Sequence, residues 1–225
     1  MRAAKSVGQT VGILLLLQLA AGLTIPFILL RPLANGSPGF LTAAAENSLQ
    51  IRAAVLLSFA GAALTVSLGI TLLPLLRRHS DAAAHWFLAA CIVSGALDLV
   101  HGGAVMSMLS LSQHYAGGNP AAEAALYQSV GAAVAGARRW AHYTQLAAIG
   151  GWMFVFYGSL LRFALIPRPL AALGLAGVAL QFTGVTLLTF LGYGAVGEMA
   201  MPLLPIQIAV AGWLMVKGFK EENHI

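Results

Sequence analysis

The sequence predicts an all-α protein, a polytopic membrane helix bundle of six transmembrane helices with both termini cytoplasmic, and three observations predict it. Of its 225 residues, 59% are apolar and only 8% charged, against roughly 45–50% and 25% in a soluble globular domain. With 12 basic and 7 acidic side chains it cannot clothe a water-facing surface. The apolar residues also fall into six continuous runs of about 20 residues each, the length that crosses a bilayer core. Finally, the basic residues stand in ones and twos at the ends of those runs, where they act as topology signals and not as a nucleic-acid surface.

The first run, 11–30, follows Arg2 and Lys5 and stays apolar beyond the short core of a signal peptide, so it reads as an uncleaved first helix. The others cover 53–76, 86–111, 140–161, 170–191 and 200–216. None alternates as a strand does, and an open sheet leaves backbone groups unsatisfied in lipid. The reading is a single transmembrane domain over 1–225. With the N-terminus inside, Arg2, Lys5, Arg77, Arg78, Arg162, Arg168, Lys217 and Lys220 face the cytoplasm, and Arg31, Arg52, Arg138 and Arg139 face outward; this bias sets the predicted orientation. The two longer connections then lie outside. One opens with Asn35, Gly36, Ser37, Pro38 and Gly39, and the other with Asn119 and Pro120. Each is expected to form a short interfacial helix. Trp86 and Trp140 mark helix ends at the interface.

Chemistry is sparse. Cys91 is the lone cysteine, so there is no disulfide framework and no CxxC metal spacing. Phosphate loops, dinucleotide fingerprints, HExxH and GxSxG are missing, which argues against familiar hydrolytic machinery. Asp98 is the exception, an acidic residue deep inside a span, where a carboxylate costs about 2.5 kcal/mol or more unless partnered or protonated. Helical spacing puts Cys91, Ser94, Asp98 and His101 on one stripe, with Asp98 and His101 one turn apart and expected to satisfy each other. On the next helix Arg138, His142, Gln145, Ile149 and Trp152 share a face. The candidate ligand or proton site is therefore Asp98, His101, His142 and Gln145, with Tyr143 beside them and Gln207 contributing from the last helix. For the mid-helix residues Gln18, Gln181 and Gln207 an interhelical hydrogen bond is the simpler role. At 1.5 Å rise per residue, His101 and His142 differ in depth by roughly 7 Å, which strains a shared ion. No metal and no cofactor are expected. His79, His85, His114 and His224 fall at loops or termini.

Three stretches together carry a resemblance: Arg52 leading into the helix that ends Leu75, Leu76, Arg77, Arg78; Tyr157 to Arg162 with Leu165, Ile166, Pro167 and Arg168; and Trp213, Leu214, Met215, Val216, Lys217, Gly218, Phe219. On these the chain resembles the domain-of-unknown-function 4386 family of bacterial integral membrane proteins, from about the first helix to Phe219. The resemblance implies a multi-pass protein of the bacterial plasma membrane and brings no activity with it. It also implies an acidic residue six positions before Trp213, where this chain has Gln207. The expectation is a binding, sensing or transport accessory and not a classical enzyme, with a small polar intramembrane cavity. Membrane lipids and a small or lipophilic ligand are its expected partners. Two alternatives stay open: a proton-coupled carrier of a small or lipophilic solute, and an intramembrane enzyme acting on a lipid-like substrate.

Overall fold

The computed structural model describes residues 2–34, 36–118, 120–193 and 196–220. Asn35, Asn119 and His224, three residues used in the sequence reading, lie outside the described residues. The elements are α1 (Arg2–Thr24), a π-helical turn (Ile25–Leu29), a 3-10 turn (Arg31–Leu33), α2 (Gly36–Glu46), α3 (Ser48–Arg77), α4 (Asp81–Gly117), α5 (Pro120–Arg162), α6 (Arg168–Leu191), α7 (Val196–Ala200) and α8 (Leu203–Lys217). Six helical segments among the described residues are long and apolar enough to cross a membrane: Lys5–Leu29, Ser48–Arg77, Asp81–Gly117, Glu123–Arg162, Arg168–Leu191 and Glu198–Lys217.

These spans coincide with the six predicted runs, but two are much longer than expected. α4 has 37 residues and α5 has 43. The second connection is not a separate interfacial helix, because nothing between Ala121 and Arg139 breaks a helix. The stretch is rich in Ala, holds no proline, and Arg138, Arg139 and Trp140 change polarity without stopping backbone hydrogen bonding. The first connection does form a short helix, α2. Its Phe40, Leu41 and Ala44 are buried in protein.

The chain packs into two compact units, to which α3, α4 and α5 each contribute a different portion. The first comprises Met1–Leu19, Ala63–Gly95 and Leu146–Ile225. Its core joins Val11 and Leu15 of α1, Leu68, Leu72 and Leu76 of α3, Phe87 and Cys91 of α4, Phe156, Tyr157 and Leu160 of α5, and Val210 and Leu214 of α8. Burial of Val11 and Leu15 makes α1 an integral part of this core. α1 approaches α8 at backbone contact: a Cβ on Gly12 falls 2.7 Å from the Ala211 carbonyl oxygen, and one on Gly8 falls 2.6 Å from Gly218 Cα. Small residues give such close approach in apolar surroundings, where dispersion and not the hydrophobic effect holds helices together. Gln18 donates to Thr65 Oγ1 at 2.8 Å, the interhelical bond expected of it.

In this unit the second and third of the three stretches that carry the family resemblance meet. The turn after α5 passes through Ala164 at φ 52° and buries Leu165 and Ile166. α8 ends at Gly218 with φ 75°, which turns the chain so that the Lys220 backbone N–H donates to the Leu165 carbonyl at 2.8 Å. Phe219 is buried beside them. The Ile-Pro-Arg and Lys-Gly-Phe motifs are thus one structural clasp.

The second unit comprises Ala20–Ala62 and Ala96–Gln145. Its core is Leu30, Leu33, Phe40, Leu41, Ile51, Val55, Val105, Met108 and Leu109 with their neighbours. Pro26 falls in the π-helical turn, and the carbonyls of Ile28 and Leu29 both accept from Gln50 Nε2 at 3.0 Å. An irregular turn in an apolar segment needs such a donor, because lipid supplies none. Ser112 Oγ donates to the Leu41 carbonyl at 2.6 Å and ties α2 to α4.

Candidate functional site

The predicted polar residues of α4 and α5 meet within the second unit. α4 and α5 are antiparallel neighbours joined by a short connection, so a step up one helix is a step down the other. Asp98 therefore faces Gln145, and His101, three residues further along, faces His142, three residues back. Both helices present these groups at i,i+3 spacing, on one face each.

Gln145 Nε2 donates to Asp98 Oδ1 at 2.6 Å. The other side of the same amide, Gln145 Oε1, lies 3.2 Å from His142 Nδ1. Because a carboxylate accepts from the amide nitrogen, the amide oxygen is left to accept, and His142 Nδ1 must carry the proton. In the neutral form of the ring the lone pair is then on Nε2. The His142 ring packs against His101 with centroids 5.1 Å apart and planes tilted by 37°. Asp98, Gln145, His142 and His101 thus form one contiguous polar chain. Asp98 and His101 are 7% and 3% exposed, so two groups that water ordinarily solvates are held inside protein.

Two expectations need correction here. Asp98 and His101 do not satisfy each other: among the described residues the hydrogen bond to Asp98 comes from Gln145, across the helix pair. His101 Nε2 is buried with no partner. Nor does depth separate the two histidines, whose rings are in contact. A span beginning near 140 would put His142 at its outer end, whereas α5 begins at Pro120 and both rings belong to one helical hairpin. Gln207 belongs to the other unit, where its Nε2 points at Met153 Sδ at 3.8 Å. Tyr143 neighbours His142 with ring centroids 6.3 Å apart.

Arg138 completes the picture. It lies one turn before His142 on the same face of α5, and its Nε is buried without a partner. Among the described residues no carboxylate stands within ion-pair distance of it; Asp81 pairs instead with Arg77 and His85. Among the described residues, too, no three His, Cys, Asp or Glu side chains are grouped to hold a metal ion. His101 and His142 offer two imidazoles and no third ligand of that kind. The first unit holds two further buried donors without a partner, Trp152 Nε1, from the α5 face that also carries Gln145, and Tyr157 Oη, and no sequence signal marks either as unpaired. A cavity of about 430 Å³ also lies in that unit, lined by Gly150, Gly151, Phe154, Ala179, Phe182 and Thr183.

Six apolar spans and no sheet among the described residues, with ionisable groups gathered inside, define a multi-pass helical membrane protein. The chain belongs to the family described as Domain of unknown function (DUF4386), whose model matches residues 10–218. No curated protein and no solved structure matches it significantly.

Proposed function

We propose that this protein is a binding, sensing or transport accessory of the bacterial plasma membrane, with its ligand site at Asp98, His101, His142 and Gln145. One observation carries the reading: hydrogen bonds run from a buried carboxylate through an amide to the His142 imidazole, whose ring packs on that of His101, and His101 carries a buried nitrogen with nothing to bond. Ionisable groups within a span are costly and mark ligand or ion sites more often than they serve packing alone. A buried nitrogen without a partner in apolar surroundings forfeits roughly 1–3 kcal/mol, which a bound ligand recovers.

The same chain supports a second reading, a proton-coupled carrier, because it links three groups able to take up a proton. Asp98→Asn separates the two. Asn preserves the acceptor for Gln145 and removes the ionisable group. In proteoliposomes the carrier reading expects Asp98→Asn to abolish proton-coupled solute movement while folding stays intact. The accessory reading expects ligand binding per folded molecule to stay within about twofold of wild type. Small molecules retained through purification and weighed by native mass spectrometry supply the ligand for this comparison. Equal retention by wild type and the folded variants Asp98→Ala and His142→Ala would count against any site here.

The proposed orientation places both termini in the cytoplasm, supported by the bias of basic residues. In a Cys91→Ala background, single cysteines at Gly36 and Gly118 should be labelled from outside intact cells by a membrane-impermeant maleimide, and one at Ser80 should be protected. Labelling at Ser80 with protection of the other two would invert the orientation.

A further inference from the structure

Arg138 is a cation with no anionic partner among the described residues. It lies inside the candidate span Glu123–Arg162, its Nε is buried and unpartnered, and no described carboxylate pairs with it. Asp98, the carboxylate of the cluster, is engaged by Gln145 instead. The adjacent Arg139 is exposed and adds a second positive charge. A guanidinium half withdrawn from water calls for an anion, and its planar fork matches the paired oxygens of carboxylate and phosphate. The second observation is independent of Arg138: His101, 3% exposed, leaves Nε2 without a partner, and its ring packs on that of His142, one helical turn from Arg138. An imidazole protonated at Nε2 is a donor.

We propose that Arg138 and His101 form a binding site for an oxyanion, a carboxylate or phosphate group. Arg138 supplies the charge and the fork, His101 Nε2–H supplies a further hydrogen bond, and Gln145 fixes the His142 ring that supports His101. The oxyanion comes either from the head group of an acidic amphiphile in the bilayer or from a water-soluble anion. The inference rests on the reading of this cluster as a ligand site and names the chemical class of that ligand.

The test uses the full chain purified in an uncharged maltoside detergent, with binding measured by calorimetry. The probes are inorganic phosphate, decanoate and dioctanoyl phosphatidylglycerol, with decanol as the uncharged control. Wild type should bind at least one anion and not decanol. Arg138→Gln should weaken that binding at least tenfold, and Arg138→Lys, which keeps the charge and loses the fork, should fall between. His101→Gln measures the second contact and should weaken binding severalfold. Should Arg138→Gln fail to fold, Arg138→Lys and His101→Gln carry the same comparison. Binding of phosphate alone assigns a soluble source, and binding of decanoate or the phosphatidylglycerol assigns a lipid one. The inference is overturned if wild type binds none of the anions, if decanol binds as well as they do, or if all three variants bind like wild type. Failure here is distinguishable from failure of the site itself: a retained uncharged molecule that is lost in His142→Ala, with no anion bound, keeps the site and removes the oxyanion.

Discussion

Gly174→Ala is expected to be a severely damaging single-methyl change. A Cβ at this position of α6 collides with the ring of Tyr157, which is fully buried among Phe156 and the other core residues of the first unit. The ring has no space to yield into, because Phe156 packs against it at 5.2 Å between centroids. Overpacking of a core costs typically 1–3 kcal/mol and more where the neighbour cannot move. At about 3 kcal/mol, the upper end of that range, a chain this size loses roughly 6–12 °C in melting temperature, read in detergent by thermal unfolding with monodispersity on a sizing column. Gly158→Ala is the control: nothing lies within 4 Å of a Cβ there, and the change should be neutral. Equal effects of the two would show that α6 does not press on Tyr157.

The second large effect is expected from Gln145→Leu. The amide is bonded on both sides, to Asp98 at 2.6 Å and to His142 at 3.2 Å. Leucine removes both bonds at once and leaves a buried carboxylate and a buried imidazole N–H unpaired. Polar interactions between membrane helices average only about 0.6 kcal/mol, but a hydrogen bond to a carboxylate is stronger and orphaning it adds desolvation, so a loss of about 2–3 kcal/mol is expected. A double-mutant cycle isolates the cause. Combining Gln145→Leu with Asp98→Leu should recover part of the loss, with a coupling of about 1–2 kcal/mol. Strict additivity would mean that the two side chains do not interact.

These two experiments bear on different kinds of information. The membrane class and the six spans follow from composition and run length, because a bilayer imposes its thickness on every segment that crosses it. Asp98, His101, His142 and Gln145 were all legible as an anomaly, since ionisable and amide groups stand out in an apolar chain. What they touch was not legible. Asp98 and His101 are neighbours along one helix, yet the partner of Asp98 is Gln145, 47 positions away. Local spacing reports which residues share a face and says nothing about which helix packs against that face.

The same division applies to helix ends. Arg138, Arg139 and Trp140 looked like the edge of a span because they change polarity, but a backbone without proline or a glycine turn continues through charges, and α5 runs on to Pro120. That one shift in where α5 begins set the hairpin register and brought His142 onto His101. The Ile-Pro-Arg and Lys-Gly-Phe motifs were visible as sequence, and only folding joined Leu165 to Lys220 in one clasp. By itself, then, the sequence determined the solvent, the number of crossings and the inventory of unusual side chains, since each is a property of composition along the chain. Tertiary structure alone decided partners: which helix faces Asp98, which ring meets His101, and which cation is left without an anion. Those depend on contacts between residues far apart in sequence, which packing selects and local periodicity does not encode.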